Sequence, residues 1–157
     1  MDIQPCTIPM EALAELLLLQ LRNGGRARLT VTGSSMLPML RHRRDVVELI
    51  PAAGRQKEGD IILYRRENGQ YILHRIIAVD EEGYICSGDN QAMREPVKPG
   101  QLLAAVSGFV RGGKQYTLNH PLYRLYTAVW VGLFPLRRYY IAIRRRLGRL
   151  YRRLRKT

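Results

Sequence analysis

This chain is poor in the residues that staple small secreted domains or hold metals. It has 2 cysteines in 157 residues, Cys6 and Cys86, a number and spacing that form neither a disulfide framework nor a zinc site. That usage fits a reducing compartment. The 3 histidines, His42, His74 and His120, show no metal-ligand spacing, so neither a metal nor another cofactor is expected. Long apolar runs are missing as well. Leu16-Leu17-Leu18-Leu19 follows Glu11 and Glu15 instead of a basic leader, with no small-residue cleavage site after it, so no signal peptide is expected. The stretch from Leu125 to Leu136 is uncharged but is closed by Arg137-Arg138. At roughly 1.5 Å per residue it reaches only about 18 Å, short of the bilayer core. No transmembrane helix is expected. The location read from this is cytoplasmic, either free or peripheral on the inner membrane face.

Acidic residues are absent from the whole C-terminal end. All 13 Asp and Glu lie at or before Glu95, whereas 14 of the 26 Lys and Arg follow it. The net charge of +13 therefore belongs to the back of the chain, behind a front that is close to neutral. Such asymmetry points to a polyanionic partner. An anionic membrane surface ranks first and an acidic protein second. Nucleic acid ranks third, because no helix-turn-helix pattern accompanies the charge.

What remains is an ordinary globular composition, 46% apolar, with one domain's worth of length. Residues 8–22 have helical spacing (Leu13, Leu16, Leu17, Leu21), Pro9 in the first turn and Asn23-Gly24-Gly25 as the stop. The period then changes to two. Strands are expected over 28–32, 45–50, 60–64, 71–79 and 84–86, with a last hairpin of 102–110 and 115–118 around Gly112-Gly113. Asn68-Gly69 between two apolar runs predicts that 60–64 and 71–79 pair antiparallel. Leu136, Tyr140, Ile143, Leu147, Leu150 and Leu154 form one helical stripe, with Pro135 separating it from the Trp130-containing stretch before it. Arg138, Arg145, Arg146, Arg149, Arg152 and Arg153 fill much of the remainder, and with Trp130 they suit an anionic bilayer interface. The expectation is a mainly β protein: an N-terminal helix in 1–25, a compact antiparallel β domain in 26–118 and a basic amphipathic helical tail in 119–157.

The chemistry is concentrated in short boxes. Gly33-Ser34-Ser35-Met36-Leu37-Pro38 places a serine on a glycine-preceded bend, where a neighbouring base could take its proton. His74 sits mid-strand among apolar residues, where a bare imidazole needs a reason, and its ordinary pKa near 6.5 suits a base at neutral pH. None of the 4 lysines (Lys57, Lys98, Lys114, Lys156) lies in an apolar strand, so a lysine base is disfavoured. In order, Ser35-Met36-Leu37-Pro38, Gly59-Asp60-Ile61, His74-Arg75-Ile76-Ile77 and Gly88-Asp89-Asn90 resemble the successive boxes of the signal peptidase I superfamily, which also contains the LexA-type self-cleaving repressors. The resemblance covers roughly residues 28–108.

The resemblance implies a serine endopeptidase fold and activity, with a peptide or precursor protein as substrate. Ser35 would be the nucleophile. His74 stands where bacterial-type enzymes have a lysine, as in the Ser-His branch of the superfamily. Asp89 would support the imidazole, with Glu95 as the alternative acid. The oxyanion would be met by the backbone N–H of Ser35, with Ser34 as helper, because Gly33 occupies the place where many relatives carry a serine donor. The membrane anchor usual before the first box in signal peptidases is not seen. A catalytically inactive peptide-binding or scaffolding module on the same fold is the alternative, followed by a nucleic-acid-associated protein. Catalysis through His74 predicts activity that rises with pH through the pKa of its imidazole.

Overall fold

The computed structural model describes the backbone of residues 10–154, and side chains from Glu15 onward except at some positions of the last helix. Cys6 lies outside the described residues, as do the side chains of Arg138, Arg145, Arg149, Arg152 and Arg153. The helix α1 covers Met10–Arg22, and its Leu17 and Leu21 are buried. The strands are β1 (Ala27–Thr30), β2 (Asp45–Ile50), β3 (Ile61–Arg65), β4 (Tyr71–Val79), β5 (Tyr84–Ser87), β6 (Glu95–Val97), β7 (Leu102–Arg111) and β8 (Lys114–Thr117). The helices α2 (Pro121–Gly132) and α3 (Phe134–Leu154) follow.

All eight strands form one antiparallel sheet in the order β1-β2-β7-β3-β4-β5-β6, with β8 added to β7. The protein is therefore mainly β, as its period-two segments predict. Alternation explains why β3 is apolar throughout. Ile61 and Leu63 enter a core with Leu17, Met36, Leu49 and Val106, while Ile62 and Tyr64 enter a second one with Ile76, Cys86 and Val97. The Asn68-Gly69 hairpin sets the register of β3 on β4, so that Ile62 lies opposite His74.

Two elements go beyond the sequence reading. The three residues of β6 include Pro96 and sit on the sheet edge, where a missing N–H costs least. The helix α2 starts at Pro121, with His120 Nδ1 accepting the Leu122 N–H at 3.3 Å. It ends at Gly132, and α3 begins at Phe134-Pro135. Among the described residues, no helix is long and apolar enough to cross a membrane.

Candidate active site

The bend that carries Ser35 is held from below by the Gly88-Asp89-Asn90 box. Gly33 enters it at φ 86°, a conformation that favours glycine, and its N–H donates to His42 Nδ1 at 2.8 Å. The Asn90 N–H donates to the Ser35 carbonyl at 2.7 Å, and its side-chain amide donates to the Ser34 carbonyl at 3.2 Å. Gly88 lies so close that a Cβ there would meet the Ser35 carbonyl oxygen at 2.6 Å and the Ser35 Cβ at 3.0 Å. Met36 is buried in the core, which fixes the next residue, while Ser35 itself is half-buried. Among the described residues no acceptor takes the Ser35 N–H, so it is available to an oxyanion. Ser34 is exposed.

His74 and Arg75 are neighbours on β4 and leave the strand on opposite sides. Each has its own acid. His74 is 3% exposed, with Nδ1 3.2 Å from the Tyr64 hydroxyl and 3.9 Å from Glu95 Oε2. The second distance is too long for a hydrogen bond. The Tyr64 phenol and the Glu95 carboxylate also shift each other's pKa, so imidazole, phenol and carboxylate act as one group. Arg66 holds Glu95 on its other side, with Nη2 donating to Oε2 at 2.6 Å and Nε donating to Oε1. That guanidinium keeps the Glu95 carboxyl below its usual range despite burial. Burial, reinforced by Glu95, raises the Tyr64 phenol, which stays protonated. Burial pulls the His74 imidazole down to about 4, with Glu95 pulling the other way.

Arg75 is fully buried and turns to Asp89. Its Nε donates to Oδ1 at 2.8 Å and its Nη2 to Oδ2 at 2.7 Å, a bidentate pair. Nη1 donates to the Gly59 carbonyl and the Tyr123 hydroxyl, both at 2.9 Å, and to Thr127 Oγ1 at 3.2 Å. Burial opposes the arginine's charge, and Asp89 more than offsets it. The two acids, Asp89 and Glu95, are thus divided between Arg75 and His74. The carboxylate of Asp89 is taken by Arg75 and by the Tyr126 hydroxyl, at 3.3 Å. Glu95, the alternative, is the acid beside His74.

Ser35 and His74 line one cleft of about 120 Å³ with Leu29, Val31, Met36 and Leu73. No hydrogen bond joins them among the described residues. Among the described residues its two rims are strand edges without a neighbour: β1 pairs only with β2, and β5 begins pairing with β4 at Arg75, so Tyr71–His74 face β3 alone. A larger groove of about 570 Å³ includes Arg66 and Glu95 but not Ser35; it lies behind the acid. The remaining thiol, Cys86, is buried and pushed up to about 12, chiefly by that burial, which leaves it inert as a nucleophile. No group of three or more His, Cys, Asp or Glu among the described residues could hold a metal ion.

Sequence reasoning did not single out Tyr64 or Arg66. The available signal was Glu95 itself, because a half-buried carboxylate beside a buried imidazole needs a counter-charge. Of the tail residues, Trp130 does not face outward alone: its Nε1 donates to the Asp89 carbonyl at 3.1 Å. Arg146 is exposed. Comparison with protein families, curated proteins and solved structures returned no match.

Proposed function

We propose that this chain is a serine endopeptidase of the signal peptidase and LexA type, cutting a peptide or precursor protein with Ser35 and His74. The observation that carries the reading is the cleft that Ser35 and His74 both line, with open strand edges on its rims. An extended peptide laid between those edges can pair with both, and alternate side chains then enter the apolar lining of Leu29, Val31 and Leu73.

In this mechanism the Nδ1–H of His74 donates to the Tyr64 oxygen and the Tyr64 O–H donates to Glu95. That arrangement places the lone pair on Nε2. Ser35 Oγ attacks the scissile carbonyl as Nε2 takes its proton, and the imidazolium then returns the proton to the leaving amine. Water, activated by the same nitrogen, releases the acyl group from Ser35. The charge that appears on the imidazole during attack is met by Glu95 through the phenol, which compensates for its burial. The N–H of Ser35 faces the developing oxyanion. No hydrogen bond joins Oγ and Nε2 among the described residues of the free protein, so the mechanism requires one to form when substrate binds.

The test compares the full chain with Ser35→Ala. A fluorophosphonate probe is expected to label the former only, and a peptide library is expected to be cut by the former only. Equal behaviour of the two removes the hydrolytic reading. Peptide capture that survives Ser35→Ala, with turnover in neither protein, replaces it with a peptide-binding module. The open strand edges favour that second reading.

A further inference from the structure

The helices α2 and α3 are built the wrong way round for a protein surface. The inner side of α2 is accounted for: Tyr123 and Thr127 meet Arg75, Tyr126 and Trp130 meet Asp89, and Val131 is buried. The inner side of α3 carries arginine beside the buried Ile141. Arg137 is buried and donates to the Gly88 carbonyl at 3.2 Å, and Arg144 donates to Asn90 Oδ1 at 3.0 Å. What these helices turn outward is apolar. Leu122 is 71% exposed, Ile143 and Leu147 are 60% exposed, and Leu125, Val129, Leu133, Leu136 and Tyr140 are exposed between them. Successive members are three or four residues apart, so the stripe follows one side of both helices. At the break between them, Trp130, Leu133, Leu136, Arg137 and Tyr140 line a notch of about 170 Å³.

Contiguous exposed apolar surface of this kind marks a contact with something outside the chain. Charge decides what. Arg124 and Arg146 are exposed on the same helices, and no acidic residue follows Glu95 in the sequence. A second copy of this face would bring arginine against arginine. Nucleic acid would meet the arginines but offers no apolar phase for a row of leucines. A lipid surface with anionic headgroups offers both at once, acyl chain for the stripe and phosphate for the flanking guanidinium groups.

We propose that the outer side of α2 and α3 docks on an anionic lipid surface and lies in its interface. The docking face extends over both helices, well beyond the α3 stripe visible in the sequence. It shares its helices with the contacts that hold Gly88, Asp89 and Asn90, so the bound surface lies directly behind the box that supports Ser35. The proposal stands independently of the hydrolytic reading.

The experiment is co-sedimentation of the full chain with phosphatidylcholine vesicles, with and without phosphatidylglycerol, at low and high salt. Leu125→Glu/Ile143→Glu is the variant, chosen because both side chains are exposed and its fold can be verified by far-ultraviolet circular dichroism and thermal midpoint. The expected result is partition onto the anionic vesicles only, weakened by salt and lowered about tenfold or more in the folded double variant. Arg124→Gln/Arg146→Gln is expected to lower anionic partition and leave the midpoint unchanged. No partition onto anionic vesicles, equal partition onto neutral ones, or full partition by the folded double variant would overturn it. So would a lipid-free dimer that the double variant dissolves without altering vesicle binding, or DNA binding tighter than vesicle binding and retained by that variant.

Discussion

Burial and a carboxylate pull the His74 imidazole in opposite directions, and burial prevails, leaving its pKa at about 4. Only the neutral imidazole can accept the serine proton. The sequence alone predicts a rise in activity through about 6.5, the ordinary value. The buried site moves that limb: kcat/KM for a cleaved peptide is expected to be level from about pH 5 to about pH 8 and to fall about tenfold per unit below about pH 4. A limb near 6.5 in the measured profile would show that burial does not govern this histidine. Glu95→Gln is expected to lower kcat about 10²–10⁴-fold while the protein stays folded. Tyr64→Phe removes the bridge but keeps the ring, and a smaller loss of about tenfold to a hundredfold in kcat with KM unchanged is expected. A Tyr64→Phe variant with full kcat would leave the phenol a purely structural role.

At the scale of elements, β4 explains both what the sequence revealed and what it hid. Its length, its hairpin with β3 and the burial of His74 follow from an apolar run behind Asn68-Gly69. The pairing of acids does not follow from box order, because Gly88-Asp89-Asn90 stands next in sequence and Glu95 beyond it. It does follow from alternation. Two adjacent strand residues, one imidazole and one guanidinium, point to opposite sides and need separate partners. The short β6 was illegible because three residues containing Pro96 have no period to detect, yet it is β6 that brings Glu95 opposite Cys86 and toward His74. Asp89→Asn tests the division of labour. It leaves Arg75 buried with half its partner gone, and a loss of about 3–5 kcal/mol in unfolding free energy is expected from chemical denaturation. Glu95→Gln should lose far less stability. Were the two variants to exchange behaviours, with Asp89→Asn stable and inactive, the assignment of acids would be reversed.

For the whole molecule, three shifted groups tie stability to pH with one sign. The His74 pKa is depressed in the folded state, so the unfolded chain binds the extra proton first, between about 6.5 and about 4. Stability is therefore full above about 6.5 and is lost as pH falls. At about 1.4 kcal/mol per pKa unit, the His74 leg amounts to about 3 kcal/mol. The carboxyl groups of Glu95 and Asp45 are also lowered, by Arg66 in the first case and in the second by Arg111 and Arg41 against burial. Their contributions are present above the ordinary values of 4.5 and 3.8 and are lost at more acid pH. Thermal midpoints measured from pH 7 downward are expected to fall from about pH 6.5. His74→Gln is expected to flatten the first part of that decline and leave the more acid part. An unchanged slope in His74→Gln would place the titration elsewhere.

Composition draws a boundary near residue 118, where acid stops and arginine accumulates, but the side chains do not respect it. Tyr123, Thr127 and Trp130 of α2 complete the enclosure of Arg75 and Asp89. A sheet transplanted into another protein without Pro121–Gly132 would have an ion pair open to water beneath Ser35. Whatever divides this chain into exchangeable modules must therefore cut after Gly132.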